Sequence, residues 1–210
     1  MIETKHTLAQ ECFRPIPKRD RVILVEGLDD GLLVEAICRE EGLARAIQIL
    51  CYSQGGKLGD FLNLLVRNAN FGIVKHVGLT RDADNGKDEA LKSLESAWER
   101  ASKVLTSLGM DLPLCSFFAL PDNQTTGRLE NLCLLSPSFP QILKCAQEMY
   151  DCALAVATYG IDREKAIVAA YLSMMERGRL QLGTGAQAGS WNLRSEAFGP
   201  LRQFLVALGT

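Results

Sequence analysis

The sequence predicts an α/β protein: a parallel sheet of about four strands with helices on both faces, and a C-terminal helical layer. Three observations carry this. Four short apolar runs, RVILV, AIQILCY, IVKHVGL and LCSFFAL, read as buried strands. Segments with apolar residues at three- and four-residue spacing separate them. Beyond Pro137 the strand signal stops and helical spacing takes over. The order βαβαβαβ suits strands covered on both faces and joined by right-handed crossovers.

The first run, residues 21–25, ends at Glu26-Gly27, where a buried strand feeds a turn. Asp29 or Asp30 is placed to cap a helix with Leu33, Ala36 and Ile37 on its inner face. A second strand, residues 46–52, is broken at Gly55-Gly56. Leu58, Phe61, Leu62, Leu65 and Val66 then repeat at helical spacing. The third strand, residues 73–79, runs into Thr80-Arg81-Asp82. The clearest helix follows, with Leu91, Leu94, Ala97, Trp98, Ala101, Val104, Leu105 and Leu108 in register and Asp88 and Gly109 as caps. The fourth strand, residues 114–120, ends at Pro121-Asp122-Asn123. Helices are expected over 141–155, over 162–177 with Ile167, Ala170, Tyr171, Met174 and Met175 on one face, and over 198–208. The small-residue stretch LGTGAQAGS between the last two reads as a loop. Residues 1–20 are an N-terminal extension, 21–135 the α/β domain, and 136–210 a helical segment packed on it.

A chain of 210 residues is long enough for one domain with a sizeable core. Its net charge of −2 excludes a global basic field, so phosphate contacts must come from local Lys and Arg or from bound metal. Seven cysteines without a CxxC pair, and two histidines, leave no ligand set for a zinc finger. The thiols are expected to be buried in a reducing cytosol. The N-terminus lacks the apolar core of a signal peptide, and no apolar stretch reaches membrane-spanning length. The expectation is a soluble cytoplasmic protein without a membrane partner.

Acidic clusters fall just past strand ends: Glu26 in VEGLDD, Asp82 and Asp84 in TRDADN, and Glu130 in GRLEN. Hard divalent cations take oxygen ligands. With strand order 2-1-3-4, strands one and three are neighbours whose loops diverge into a crevice. Glu26 and Asp82 would meet there, and Asp84, two residues on, would share a face with Asp82 in extended chain. Such a cage suits Mg²⁺ or Mn²⁺. Each cluster alone also suits a turn without any ligand; their placement at three separate strand ends favours the metal.

Other motifs do not fit. An EF-hand starting at Asp82 would place Gly86 and Lys87 at its fifth and sixth positions, where Asp or Asn and then Gly are needed. Gly55-Gly56-Lys57-Leu58 has neither the spacing nor the hydroxyl of a Walker A loop, and no GxGxxG follows the first strand. A serine triad would have to use His6 or His76, neither in a loop typical of a base.

The combination of Glu26-Gly27-x-x-Asp30, Asp82-x-Asp84-Asn85 and the βα frame around both resembles the Toprim fold of topoisomerases, bacterial primases and OLD-type nucleases. In particular it is similar to small stand-alone Toprim-like proteins related to the OLD nucleases, which carry a later element matched here by Gly127-Arg128-Leu129-Glu130. The resemblance covers roughly residues 21–135. It implies a Toprim/Rossmann-like sheet, Glu26 as general acid/base or metal ligand, and Asp82 and Asp84 as metal ligands. Asp30 stands where OLD-type members have a second acidic residue, and Glu130 would complete a second metal site. Two ions could then clamp the attacking and leaving oxygens of a phosphodiester. Lys57, Arg81, Lys87 and Arg128 lie near enough in sequence to contact phosphates.

The leading expectation is therefore an Mg²⁺- or Mn²⁺-dependent nuclease acting on nucleic acid, with DNA ahead of RNA. With no tyrosine-nucleophile domain and no ATPase domain in the sequence, the alternative is a non-catalytic Toprim-like subunit docking on a partner ATPase or DNA-processing protein. An enzyme of small phosphorylated substrates is a third class, and a homo-oligomer is open in each.

Overall fold

In the computed structural model, which describes residues 12–53, 57–84, 86–156, 160, 162–175 and 181–210, four strands form one all-parallel sheet. The strands are β1 (Arg21–Val25), β2 (Ile47–Cys51), β3 (His76–Asp82) and β4 (Leu114–Leu120), in the spatial order β2-β1-β3-β4. Among the described residues there are eight α-helices: α1 (Leu28–Glu40), α2 (Leu58–Val66), α3 (Lys87–Ser107), α4 (Leu129–Leu134), α5 (Pro140–Val156), α6 (Arg163–Ser173), α7 (Leu182–Gln187) and α8 (Gly199–Gly209). The α/β class and strand order are those the sequence predicts.

Crossover handedness decides the layers. The step from β1 to β2 runs one way along the sheet, and those from β2 to β3 and from β3 to β4 run the other. Right-handed connections therefore put α1 on one face and α2 and α3 on the opposite one. Alternate strand residues sort accordingly. Val22, Leu24, Val77 and Leu79 pack with Phe61, Leu65, Leu94 and Leu105 of α2 and α3. Ile23, Val25, Ile49 and Phe118 pack with Leu33 and Ile37 of α1. A lone α1 leaves its face uncovered over β3 and β4, and the C-terminal helices fill it, contributing Tyr171, Phe198, Leu201 and Leu205 to the same cluster. Gly78 of β3 opens the space for α8, since a Cβ there would stand 2.8 Å from Leu208 Cδ2.

Several local details differ from the sequence reading. The stretch expected as a loop forms α7. Its glycines suppress helix propensity but permit close packing: a Cβ on Gly183 would lie 2.4 Å from the Asp29 carbonyl and 2.7 Å from Leu32 Cβ. β3 starts at His76 rather than residue 73, because Ala69–Ile73 closes a 3₁₀ turn, and it continues to Asp82 in register with Leu120. The N-caps of α1 and α3 are Gly27 and Gly86; Asp29, Asp30 and Asp88 lie one turn inside, where the helix dipole favours acids. Gly109 follows α3 at φ +69°, as its expected cap role requires. Gly55-Gly56 and residues 176–177 lie outside the described residues. Cys12, Cys38, Cys51 and Cys133 are buried as expected, but Cys145 and Cys152 are exposed on α5. Met174, expected on the inner face of α6, is also exposed.

The N-terminal extension runs beside β2. The Cys51 N–H donates to the Cys12 carbonyl at 2.6 Å, and Arg19 Nη1 donates to the carbonyls of Ala44 and Ile47. Among the described residues no helix is long and apolar enough to cross a membrane.

Candidate metal centre

β1 and β3 are adjacent, and the connections leaving them go to opposite faces. Their carboxyl ends form the crevice at the topological switch point. Glu26 follows the last residue of β1, and Asp82 is the last residue of β3. Asp30 sits in the first turn of α1, where its Oδ2 accepts the Gly27 N–H at 2.7 Å. Gly27 allows this approach, since a Cβ on it would stand 3.1 Å from that oxygen.

Asp82 is the centre of the cluster. Its Oδ1 is buried with no hydrogen-bond partner among the described residues. Burial first, then the charges of Asp30, Glu26, Glu130 and Asp84, push its carboxyl up to about 8. Asp30 rises to about 6, chiefly through burial, opposed by the Gly27 N–H and reinforced by Glu26. The charges of the acids singled out in the sequence therefore all reach Asp82. They are not a closed cage: among the described residues no three His, Cys, Asp or Glu side chains stand so as to hold a metal ion.

Asp84 does not share a face with Asp82. The strand ends at Asp82, and Asp84 turns out of extended chain at φ +39°. Its N–H donates to the Gly127 carbonyl, and its Oδ1 accepts Arg128 Nε at 2.9 Å. Arg128 Nη1 also reaches Asp162 Oδ2, the N-cap of α6. Arg128 is thus committed to two carboxylates. Glu130 lies in the first turn of α4, partly buried.

The other expected phosphate contacts divide. Lys87 Nζ lies 3.6 Å from the neighbouring Asp88 Oδ1. Arg81 Nη1 donates to Ser93 Oγ of α3 at 2.7 Å. Arg81 and Lys57 line one cavity of about 510 Å³ with Glu26, Tyr52, Ser53 and Arg100. Tyr52 and Arg100 escape the sequence reading. The stripe Ser93, Ala97, Arg100, spaced by four and three along α3, was the available signal. Tyr52 is no nucleophile: its hydroxyl donates to the Thr80 carbonyl at 3.2 Å, and burial raises its pKa further.

Fold and site together define an open α/β protein with carboxylates near the switch point of its parallel sheet. The chain belongs to the family described as protein of unknown function (DUF3226), whose model matches residues 20–210. No curated protein and no solved structure matches the chain.

The donor set fits a hard divalent cation in its chemistry. The carboxylates supply oxygen only, and a buried carboxylate oxygen without a donor costs free energy until a proton or cation satisfies it.

Proposed function

We propose that this chain is an Mg²⁺- or Mn²⁺-dependent phosphodiester hydrolase acting on nucleic acid, DNA ahead of RNA, in the manner its Toprim-like motifs imply. The observation that carries the reading is the buried, unpartnered Asp82 Oδ1 beside Asp30 and Glu26 at the switch point. Asp82 and Asp30 would hold the cation, and the charges of Glu26, Asp84 and Glu130, which reach Asp82, would add to the field around it. When bound, the cation would polarise a phosphoryl oxygen and lower the pKa of a water molecule.

The chain's own residues supply the rest. Glu26 is exposed at the mouth of the crevice, where its carboxylate can take a proton from the attacking water. Arg81, held by Ser93, presents a guanidinium beside it for a phosphate oxygen. Asp84 stays anchored through Arg128, which holds the loop after β3 against α6.

The test is cleavage of plasmid and of labelled DNA and RNA by the purified protein with Mg²⁺ or Mn²⁺. Glu26→Gln and Asp82→Asn are each expected to lose at least about a hundredfold of the rate. Cleavage that survives in either variant overturns the reading.

A second reading, a non-catalytic subunit docking on a partner ATPase, draws on two observations. No three-ligand group exists among the described residues, and Met149, Leu154 and Val156 of α5 are exposed. It predicts no metal-induced stabilisation and co-purification of a partner lost when α5 is altered.

A further inference from the structure

We infer that the seam between α2 and α3 is a phosphate-binding groove that carries a nucleic-acid strand away from the acidic crevice, with Arg100 the cation at its midpoint. The inference rests on the hydrolase reading and adds the path of the substrate.

Two cavities lie end to end along this seam. The inner one, about 510 Å³, begins at Glu26 and Arg81. The outer one, about 420 Å³, extends to Asn63 and Val104. Lys57, Gly59 and Arg100 line both. The inner cavity carries three cations, Lys57, Arg81 and Arg100, against the single carboxylate of Glu26. The outer carries Lys57 and Arg100 against Asp60.

Two kinds of cation lie on the surface, those paired with a carboxylate and those without one. Arg128, Arg163, Arg194 and Arg202 each lie within ion-pair distance of a carboxylate. Lys57 and Arg100 have no ion pair among the described residues, and Arg81 bonds a neutral serine. In a chain of net charge −2, these three cations outnumber the Glu26 and Asp60 carboxylates in the groove and leave it a local positive field.

The backbone adds to the field. Leu58 and Gly59, at the N-terminal end of α2, line the inner cavity, and the positive end of the helix dipole there favours an anion. Gly59 lets the Arg100 guanidinium lie against that turn: a Cβ on Gly59 would come 3.3 Å from Arg100 Nη2. On the other side of the crevice, the cavity of about 540 Å³ past β4 is lined by Asp122, Glu164 and Glu196 with Arg163. An anionic strand is repelled there and attracted along α2–α3, which sets the direction.

The experiment is fluorescence anisotropy of a labelled 12-nucleotide single strand with the full chain in EDTA, so that no cation is needed and nothing is cleaved. Arg100→Glu is expected to weaken binding at least about tenfold, and Arg100→Gln to lower the salt slope of log K by about 0.7. Arg100→Lys and the surface control Lys144→Glu are expected to stay within about threefold of the parent. Thermal melts of each variant verify folding. Unchanged binding by Arg100→Glu, or a loss matched by Lys144→Glu, overturns the groove. Equal affinity for a mononucleotide and the 12-mer overturns the strand in favour of a small phosphorylated ligand. Failure here would leave the cleavage test with Glu26→Gln and Asp82→Asn standing, and the reverse also holds.

Discussion

Arg128 Nε donates to Asp84 Oδ1 at 2.9 Å, and Arg128 Nη1 binds Asp162 Oδ2, so one guanidinium ties the acidic loop after β3 to the N-cap of α6. Residues 44 and 34 positions from Arg128 meet on it. The loop after β3, which carries Asp84, is therefore tied through Arg128 to the C-terminal layer.

Arg128→Ala is expected to cost about 1 kcal/mol, because the pairs are partly exposed and solvent screens them. A double-mutant cycle with Asp162→Asn in urea melts should recover coupling of a few tenths of a kcal/mol or more. A variant of unchanged stability but weakened nucleic-acid binding would instead make Arg128 a phosphate contact.

Acidity should stabilise the metal-free protein. The Asp82 and Asp30 carboxyls are raised to about 8 and about 6, whereas carboxyls of the unfolded chain titrate near 4. Between these values the folded chain keeps protons that the unfolded chain has released. Stability therefore falls as pH rises from about 4 to about 8 and levels off above. In EDTA, Asp82→Asn should flatten the slope between pH 6 and 8 and add about 1–2 kcal/mol at pH 8. Urea melts across that range check it; an unaltered slope in the variant would remove Asp82 as its source.

A divalent cation should reverse that penalty. At pH 8, Mn²⁺ or Mg²⁺ at a hundred times its Kd should stabilise the parent by about 2.7 kcal/mol. The Asp82→Asn protein should gain far less. A thermal midpoint that ignores both ions would sink the metal reading and leave the docking subunit.

Gly183→Ala should be more damaging than Gly78→Ala. The first places a methyl 2.4 Å from the Asp29 backbone oxygen, where nothing can yield without shifting α1. The second meets the Leu208 side-chain tip at 2.8 Å, which can rotate. A cost of about 2–3 kcal/mol for Gly183→Ala against about 1 for Gly78→Ala is expected in chemical denaturation. Because the Gly183 N–H also donates to Asp29 Oδ1, the first change should perturb neighbouring Asp30 and its pH slope as well.

The sequence by itself determined the four strands, their order and the longer helices with most of the faces they bury. Periods of two and 3.6 residues report burial locally, which is why Leu58, Phe61, Leu62, Leu65 and Val66 were readable as one buried face. Order 2-1-3-4 sets the carboxyl ends of β1 and β3 side by side, and the charges of Asp30, Glu26 and Glu130 reach Asp82 there. Only the tertiary structure decided which charges are spent. Arg128 is consumed by Asp84 and Asp162, whereas Arg100, 19 positions from Arg81 in the sequence, opens onto the same cavity. Only the structure, likewise, turned Asp84 away from Asp82 and wound a glycine-rich stretch into α7. The reason is physical: a side chain's ion partner and a glycine's steric allowance depend on atoms brought near by folding, and a local pattern along the chain holds no record of them.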